Sequence, residues 1–279
     1  MDELKTYAEN TWCTGCGNFG ILNAFKKAVK NLSNKGVPME NIVISAGIGC
    51  HAKIFDYLAL NGLYSLHGRS MTTVQGMKLG NPELKAVTFA GDGDAYGEGL
   101  AHMIFAAKRN ADITVIVHDN SVYGLTTGQF TPTSPKGFKG RSTPHGSPEE
   151  PLNPLTLMLE AGATFVARGY AGKIGNLAIS IEKAISHEGF SFIEVLQPCV
   201  SFNDTYKLYN SLVEVIDNPA KDFDEALNIS RKQDKLPIGV IYQIQKPSYH
   251  KELYGDWNPV KQRLSKADRI SRVQELLKP

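Results

Sequence analysis

The fold is decided by residues 85–127, which read KAVTFAGDGDAYGEGLAHMIFAAKRNADITVIVHDNSVYGLTT. Residues 85–90 are apolar and rich in β-branched and aromatic side chains, so they predict a buried strand, which a Gly-Asp-Gly turn ends abruptly. Residues 97–109 repeat apolar side chains at the helical period. Residues 113–117 predict a second buried strand. The stretch therefore predicts a strand–helix–strand unit of a parallel sheet.

Two polar residues, Asp92 and Asn120, lie where these two predicted strands end. A right-handed crossover brings both strand ends to the same edge of the sheet, and open α/β sheets bind ligands at this carboxyl edge. A carboxylate, an amide oxygen and a backbone carbonyl are hard ligands that Mg²⁺ binds together with phosphate oxygens. Gly93 leaves room for a phosphate beside a helix N-terminus. The paired strand ends therefore predict a Mg²⁺–phosphate site, where Gly-Asp-Gly alone would predict only a turn.

The spacing from Gly-Asp-Gly to Asn120 resembles the motif by which thiamine diphosphate enzymes hold the Mg²⁺ of the diphosphate. This resemblance implies three metal ligands in the present chain. They are the side chains of Asp92 and Asn120 and the carbonyl oxygen of Val122.

Length, charge and hydropathy exclude several classes of protein. The 279 residues suffice for one large α/β domain with extensions or for two small domains. A net charge of +2 offers no electrostatic basis for binding nucleic acid. No apolar run approaches the length of a membrane span, and the first twelve residues lack the apolar stretch of a signal peptide. We therefore expect a cytoplasmic protein with no membrane association.

The chain contains four cysteines, Cys13, Cys16, Cys50 and Cys199. The first two form a C-x-x-C pair just before a predicted helix at residues 19–31, and a helix N-terminus favours thiolates. Four thiols match the ligand count of a zinc site or a [4Fe–4S] cluster. A thioredoxin-like redox pair and ordinary buried cysteines are the alternatives.

The remaining periodicity predicts an α/β fold, with a mostly parallel sheet flanked by helices. A loop rich in Pro, Gly, Ser and Thr, at residues 129–154, has the length of a functional loop or lid. Beyond residue 202 the periodicity weakens, so we predict an α/β domain at 1–202 and, at 203–279, an extension that packs on the core or on a partner subunit. Further strands are predicted at residues 41–45, 63–66, 164–167, 190–196 and 236–242, and further helices at 155–161, 174–187 and 270–277.

Several motifs together resemble the β subunit of 2-oxoacid:ferredoxin oxidoreductases over residues 10–245. They are WCTGCGNFGIL, AGIGCHAK, LHGRSMTTVQGMKL, the GDGD…N-x-V-YGLTTGQ block and VLQPCVSF, in the order of that family. The resemblance implies the diphosphate-binding half of the thiamine diphosphate-binding fold. It implies a catalytic subunit for coenzyme A-dependent oxidative decarboxylation of a 2-oxoacid, 2-oxoglutarate or pyruvate-like, to acyl-CoA and CO₂. Electrons would pass through a [4Fe–4S] cluster to ferredoxin.

The resemblance also implies roles for individual residues. It assigns the cluster to Cys13, Cys16, Cys50 and Cys199, and catalytic roles to Lys53, facing the substrate pocket, and to His67. The residues that it places around thiamine diphosphate are Ile48, Gly49, Cys50, His51, His67, Gly91, Gly93, Asp94, Gly124 and Leu125. Coenzyme A contacts do not carry over, because Thr127 stands where some relatives have a lysine; Lys136 or Lys173 are candidates to replace it.

The chain has no second α/β half in its sequence pattern, and thiamine enzymes take an essential glutamate from a pyrimidine-binding domain. The resemblance therefore implies an obligate α subunit, or α and γ subunits, that supply this domain, with ferredoxin, coenzyme A and a 2-oxoacid as further partners. Two alternatives stay open. One is a non-redox thiamine diphosphate-dependent decarboxylase subunit, and the other is a non-catalytic protein with a structural Zn(Cys)₄ site.

Overall fold

The computed structural model describes residues 4–232, 234–255, 257–261 and 264–278. The strands are β1 (Ile42–Ala46), β2 (Asn61–Tyr64), β3 (Lys85–Gly91), β4 (Thr114–Asp119), β5 (Phe165–Tyr170), β6 (Ser191–Leu196), β7 (Val213–Val215) and β8 (Leu236–Gln243). The α-helices are α1 (Asn18–Asn34), α2 (Ser70–Gly80), α3 (Leu100–Lys108), α4 (Pro154–Glu160), α5 (Ile174–Ser186), α6 (Tyr206–Leu212), α7 (Phe223–Ser230), α8 (Tyr249–Tyr254) and α9 (Lys266–Leu276).

Within these residues the strands form an eight-stranded sheet in the order β2-β1-β3-β4-β6-β5-β8-β7. Neighbouring strands from β2 to β5 run parallel, and β8 pairs antiparallel with β5. The predicted fold class, a mostly parallel α/β sheet flanked by helices, is confirmed. Because β6 lies between β4 and β5, the ends of β4 and β6 meet at the carboxyl edge.

Two layers of helices cover the two faces of the sheet. In β1, Ile42 and Ile44 belong to the apolar core that contains α1 and α5, whereas Val43 belongs to the core that contains α2 and α3. The alternation follows from the strand period of two residues. Both faces of the central strands are buried, which explains why those strands are continuous apolar runs in the sequence.

The strand–helix–strand unit at residues 85–127 is present, with Gly91 of β3 opposite His118 of β4. The helix begins at Leu100, later than the predicted residue 97, because Gly93–Glu98 form a π-helical turn between β3 and α3. Asp94 in this turn accepts hydrogen bonds from the N–H groups of Ile48 and Gly68. A π-helical turn of this kind is frequent at functional sites.

Short elements account for most other differences from the sequence prediction. Strand β2 lies at Asn61–Tyr64, so it begins and ends two residues earlier than the predicted strand at 63–66. It forms an exposed edge of the sheet. The 3₁₀ helix Cys50–Tyr57, strand β7 and helices α6, α7 and α8 were not predicted. These segments are too short to show a clear apolar period, so their contacts with the core decide their conformation.

The C-terminal region contributes to the same sheet as the N-terminal region. The predicted strand at 236–242 is confirmed as β8, and helix α7 packs beside it. Helix α9, predicted at 270–277, begins earlier, at a capping box formed by Ser265 and Asp268. The division into 1–202 and 203–279 stays a prediction, and residues 1–3, 233, 256, 262, 263 and 279 lie outside the described part. No helix in the described ranges is long and apolar enough to cross a membrane.

Candidate functional site

The carboxyl edge of the sheet carries a cleft of about 500 Å³ that is open to solvent. Asp92 and Asn120, which follow β3 and β4, both line it. So does every residue that the sequence places around the cofactor. The lining residues are Ile48, Gly49, Cys50, His51, His67, Gly91, Asp92, Gly93, Asp94, His118, Asn120, Val122, Tyr123, Gly124, Leu125 and Thr126. We call this the cofactor cleft.

Asp92 lies almost completely buried at the base of the cofactor cleft. Its Oδ2 accepts hydrogen bonds from the hydroxyl groups of Thr131, at 2.6 Å, and Thr133, at 3.1 Å. Burial raises the pKa of this carboxyl group to about 6, even though those hydroxyls and nearby backbone N–H groups lower it. Both threonines belong to the long loop at 129–154, so this loop folds back onto the end of β3. Sequence reasoning missed both threonines because no local pattern links them to Asp92.

A second buried carboxyl group, Asp119, lies beside Asp92. Thr133 joins them, since its hydroxyl also lies 2.8 Å from Asp119 Oδ1. Burial and the neighbouring charges of Asp92 and Glu194 raise the pKa of Asp119 well above its usual value. Two buried carboxyl groups without a neighbouring cation repel each other when both ionise. A divalent cation at Asp92 would offset this repulsion, so the donor set fits Mg²⁺.

Asn120 is held by hydrogen bonds on both sides of its amide. Its Oδ1 accepts the N–H of Val122 at 3.1 Å, and its Nδ2 donates to Gln197 Oε1 at 3.0 Å. The backbone turns sharply at Ser121, whose φ of 54° is left-handed. Asn120 and the residue of the third predicted ligand, Val122, thus belong to one tight turn at the end of β4.

Asp94 joins three loops at the rim of the cofactor cleft. Its Oδ1 accepts the N–H of Gly68 at 2.7 Å and that of Ile48 at 3.3 Å. His67 Nδ1 lies 3.2 Å from Oδ1, and His51 Nε2 lies 3.4 Å from Oδ2. Burial raises the pKa of Asp94, but His51 and the two N–H groups outweigh burial and hold the pKa below its usual value. Asp94 is therefore an anionic anchor for both histidines.

Three polar atoms of this cleft, His51 Nε2, His67 Nδ1 and Asp94 Oδ2, are buried and make no well-aligned hydrogen bond among the described residues. The two histidine atoms face the carboxylate of Asp94 at ion-pair distance instead. Glycines allow the backbone to approach side chains of the cleft closely: a Cβ atom on Gly91 would lie 2.8 Å from His51 Nδ1, and one on Gly93 would lie 2.1 Å from the ring of Tyr123. Buried polar groups with incomplete hydrogen bonding beside an open cleft fit a polar ligand.

We expect Gly47→Ala to destabilise the chain by about 1–3 kcal/mol, because overpacking of a dense site has costs of that size. An added Cβ atom would lie 1.9 Å from Asp94 Oδ2 and would displace the anchor of both histidines. Gly76→Ala is the matched control. Gly76 lies inside helix α2 with no atom within 4 Å of an added Cβ, so this change should stabilise by about 0.5–1 kcal/mol. Urea unfolding followed by circular dichroism measures both; equal effects would contradict the prediction.

The four cysteines line a second cleft of about 440 Å³, which we call the cysteine cleft. It adjoins the cofactor cleft, since Cys50, Asn120 and Gly124 line both. All four cysteines are free thiols. Among the described residues, no three His, Cys, Asp or Glu side chains are placed to hold one metal ion. A four-iron cluster is larger than a single ion and takes one thiolate at each iron, so four thiols around one cleft fit a cluster better than zinc.

Cys16 does not gain acidity from the start of α1, contrary to the sequence expectation. Burial raises the pKa of Cys16 to about 11, which outweighs the backbone hydrogen bond from Asn18 near the start of α1. Burial also raises the pKa of Cys50, although the charge of Lys53 lowers it. Ligation by a metal would therefore have to displace protons from these thiols.

Lys53 and His67, the two predicted catalytic residues, lie in different places. His67 lines the cofactor cleft, whereas Lys53 lines the cysteine cleft, where its Nζ donates to the carbonyl of Thr11 at 3.3 Å. Trp12 closes the same region, with its Nε1 donating to the carbonyl of Cys50 at 2.6 Å. Sequence reasoning did not identify Trp12 as a contact of Cys50, because the two are brought together only by the packing of α1 on the sheet.

The residues considered for coenzyme A contacts are spread over the surface. Thr127 has a left-handed backbone, with φ of 76°, and its hydroxyl lies 3.3 Å from Nη1 of Arg141. Lys136 forms an ion pair with Glu150, and Lys173 precedes helix α5. The positive charge beside Thr127 thus comes from Arg141, which the sequence analysis did not single out.

Comparison with known proteins identifies similar families and structures. Residues 47–195 match the family "Thiamine pyrophosphate enzyme, C-terminal TPP binding domain", and residues 199–255 match the C-terminal family of the pyruvate ferredoxin oxidoreductase beta subunit. The chain is 39% identical to a 2-oxoacid:ferredoxin oxidoreductase subunit beta of Sulfolobus sp, over 95% of this chain and 94% of the relative. It is 37% identical to the 2-oxoglutarate synthase subunit KorB of Methanothermobacter marburgensis, over 88% and 86%.

A solved structure is similar over nearly the whole chain. It is the 2-oxoglutarate:ferredoxin oxidoreductase from Magnetococcus marinus with 2-oxoglutarate, coenzyme A and succinyl-CoA bound. The TM-score is 0.90 and the sequence identity 35%, with 99% of this chain and 95% of the other covered. The similarity in fold therefore extends from the N-terminal part of the sheet to the C-terminal strands.

Proposed function

The chain belongs to the β subunits of the 2-oxoacid:ferredoxin oxidoreductases, and we propose that it is the catalytic subunit for coenzyme A-dependent oxidative decarboxylation of a 2-oxoacid to acyl-CoA and CO₂. The substrate is 2-oxoglutarate or a pyruvate-like acid, in keeping with the 2-oxoglutarate named for several relatives. One observation carries the proposal. The cofactor cleft and the cysteine cleft share Cys50, Asn120 and Gly124, so groups bound in the two clefts are neighbours.

In the cofactor cleft, Asp92, Asn120 Oδ1 and the carbonyl of Val122 would hold the Mg²⁺ of thiamine diphosphate. His51 and His67, which Asp94 holds in place, would contact the ligand at the rim. When bound, thiamine diphosphate supplies the nucleophile for the keto carbon and the electron sink that follows loss of CO₂. The chain's own contribution is to bind this cofactor and to orient it against the residues that line both clefts.

In the cysteine cleft, Cys13, Cys16, Cys50 and Cys199 would hold a [4Fe–4S] cluster, which accepts electrons singly and passes them to ferredoxin. Cys50 belongs to both clefts, so the cluster would lie against the cofactor cleft. Ser201 donates a hydrogen bond to Cys13 Sγ at 3.3 Å, and Trp12 holds the backbone of Cys50. Lys53 would lie beside the cluster, and its positive charge offsets part of the rise that burial causes in the pKa of Cys50.

A partner subunit would complete the cofactor cleft. The described residues contain one sheet and no second α/β half. Apolar side chains at the rim are exposed, among them Ile48 and Leu125 of the cofactor cleft and Leu66 beside it. An α subunit that supplies the pyrimidine-binding domain would cover them. The cytoplasmic location stays a prediction from the sequence.

The proposed function is tested by an anaerobic visible spectrum of the purified complex, together with iron and zinc analysis. We expect a broad absorption that dithionite bleaches, and about four irons per chain, as one [4Fe–4S] cluster requires. Iron-free protein would favour a non-redox decarboxylase, and one zinc per chain would favour a structural zinc site. Either result would contradict the redox function.

A further inference from the structure

Gln197 links the two clefts through a single buried side chain. It follows the last residue of β6, as Asn120 follows the last residue of β4, and these strands are neighbours with Asp119 opposite Leu196. The side chain is 1% exposed. Its Oε1 accepts from Asn120 Nδ2 at 3.0 Å, and its Nε2 lies 2.6 Å from the carbonyl of Pro198 and 3.6 Å from Cys16 Sγ.

On the premise of the proposed function, we propose that Gln197 is a positioning residue: it orients the Asn120 amide so that Oδ1 faces the Mg²⁺ site, and it donates a hydrogen bond to the cluster thiolate of Cys16.

The orientation follows from groups whose hydrogen-bonding roles are not ambiguous. A carbonyl can only accept, so the carbonyl of Pro198 requires Nε2 of Gln197 on its side and leaves Oε1 facing Asn120. Oε1 in turn requires the NH₂ group of Asn120. The Oδ1 atom of Asn120 then faces the other way, toward the N–H of Val122, which can only donate. The carbonyl of Pro198 and the N–H of Val122 therefore require the same orientation of the two amides.

This orientation matters because only the oxygen atom of an amide side chain can bind a cation. A flipped Asn120 would present its NH₂ group to Mg²⁺ and would lose one ligand of the set. Residues that orient a metal ligand typically change metal affinity by about 10–100-fold when they are replaced. A hydrogen bond to a ligating sulfur stabilises the more negative, reduced cluster and so raises its reduction potential. Gln197 therefore affects both groups from one position.

The test uses the complex with its partner subunit and the variant Gln197→Met, which keeps the side-chain volume and removes every hydrogen bond of the side chain. We expect the dissociation constant for Mg²⁺·thiamine diphosphate, measured by equilibrium dialysis, to rise by about 10–100-fold. We also expect a lower cluster potential in a redox titration followed by electron paramagnetic resonance. Ser201→Ala is the matched control, because it removes a hydrogen bond to Cys13 Sγ but has no link to Asn120. It should lower the potential and leave the dissociation constant unchanged.

The variant Asn120→Asp separates positioning from general packing. A carboxylate presents an oxygen to the metal in either orientation. In the Asn120→Asp background, Gln197→Met should therefore raise the dissociation constant less than about threefold, below the range of about 10–100-fold for residues that orient a metal ligand. An equal loss in both backgrounds would show that Gln197 serves only packing and would overturn the inference. So would an unchanged constant and potential in Gln197→Met. A wild-type complex that binds neither cofactor nor iron would instead overturn the proposed function itself.

Discussion

Replacing Asp92 with asparagine should weaken the binding of Mg²⁺·thiamine diphosphate by more than roughly 100-fold, beyond the range found for residues that only support a metal ligand. The substitution preserves the shape of a buried side chain and an oxygen that can accept from Thr131 and Thr133. It removes the negative charge that Mg²⁺ would meet. Equilibrium dialysis with the purified complex measures the loss, and turnover should fall with it.

Asp119→Asn is the control for this prediction. Asp119 is buried beside Asp92 but does not line the cofactor cleft. All its hydrogen bonds from Ser121 and Thr133 reach Oδ1, which asparagine also provides. We expect a much smaller change in cofactor affinity. Equal losses for the two variants would mean that buried charge in general, and not a ligand at Asp92, supports binding. Iron content should stay at the wild-type level in both.

Cys199→Ser should reduce iron to well below the four per chain that a [4Fe–4S] cluster needs, and should abolish electron transfer to ferredoxin. Cys199 follows β6, and its Sγ lies 3.8 Å from where a Cβ atom on Gly124 would be, with Cys50 Sγ at 3.5 Å from the same point. A serine hydroxyl is a harder and weaker ligand for iron than a thiolate. Iron analysis and ferredoxin reduction by the complex measure the two effects.

The cofactor site should survive this change. Cys199 does not line the cofactor cleft, so Mg²⁺·thiamine diphosphate should bind Cys199→Ser with nearly wild-type affinity. Ser201→Ala, which removes a hydrogen bond to Cys13 Sγ and no thiol, should retain the iron. Asp92→Asn should thus lose the cofactor and keep the iron, whereas Cys199→Ser should lose the iron and keep the cofactor. Loss of both groups in both variants would contradict the assignment of two separate sites.

Local periodicity was enough to predict the elements that frame the site. The runs at 85–90 and 113–117 are buried on both faces of a parallel sheet, so they are continuous and apolar in the sequence. The crossover rule then predicted that Asp92 and Asn120 lie at one edge. Short segments such as the 3₁₀ helix Cys50–Tyr57 were missed, because their conformation depends on packing rather than on a repeated pattern.

Sequence patterns along one segment could not predict contacts between segments that are distant in the chain. Thr131 and Thr133 reach Asp92 from a loop that contains no helix or strand to predict. The π-helical turn at Gly93–Glu98 delays the helix start while its Asp94 is bonded to two other loops. Burial raises the pKa of Cys16, where the sequence alone suggested a favoured thiolate.

The sequence by itself determined the α/β class, the two strand ends with Asp92 and Asn120, and the four cysteines, because residue type and spacing along one segment suffice for these. Only the tertiary structure decided that β6 lies beside β4, which places Gln197 next to Asn120 and the cysteine cleft against the cofactor cleft. Strand order depends on which apolar surfaces pack together across the whole chain. No local spacing contains that information.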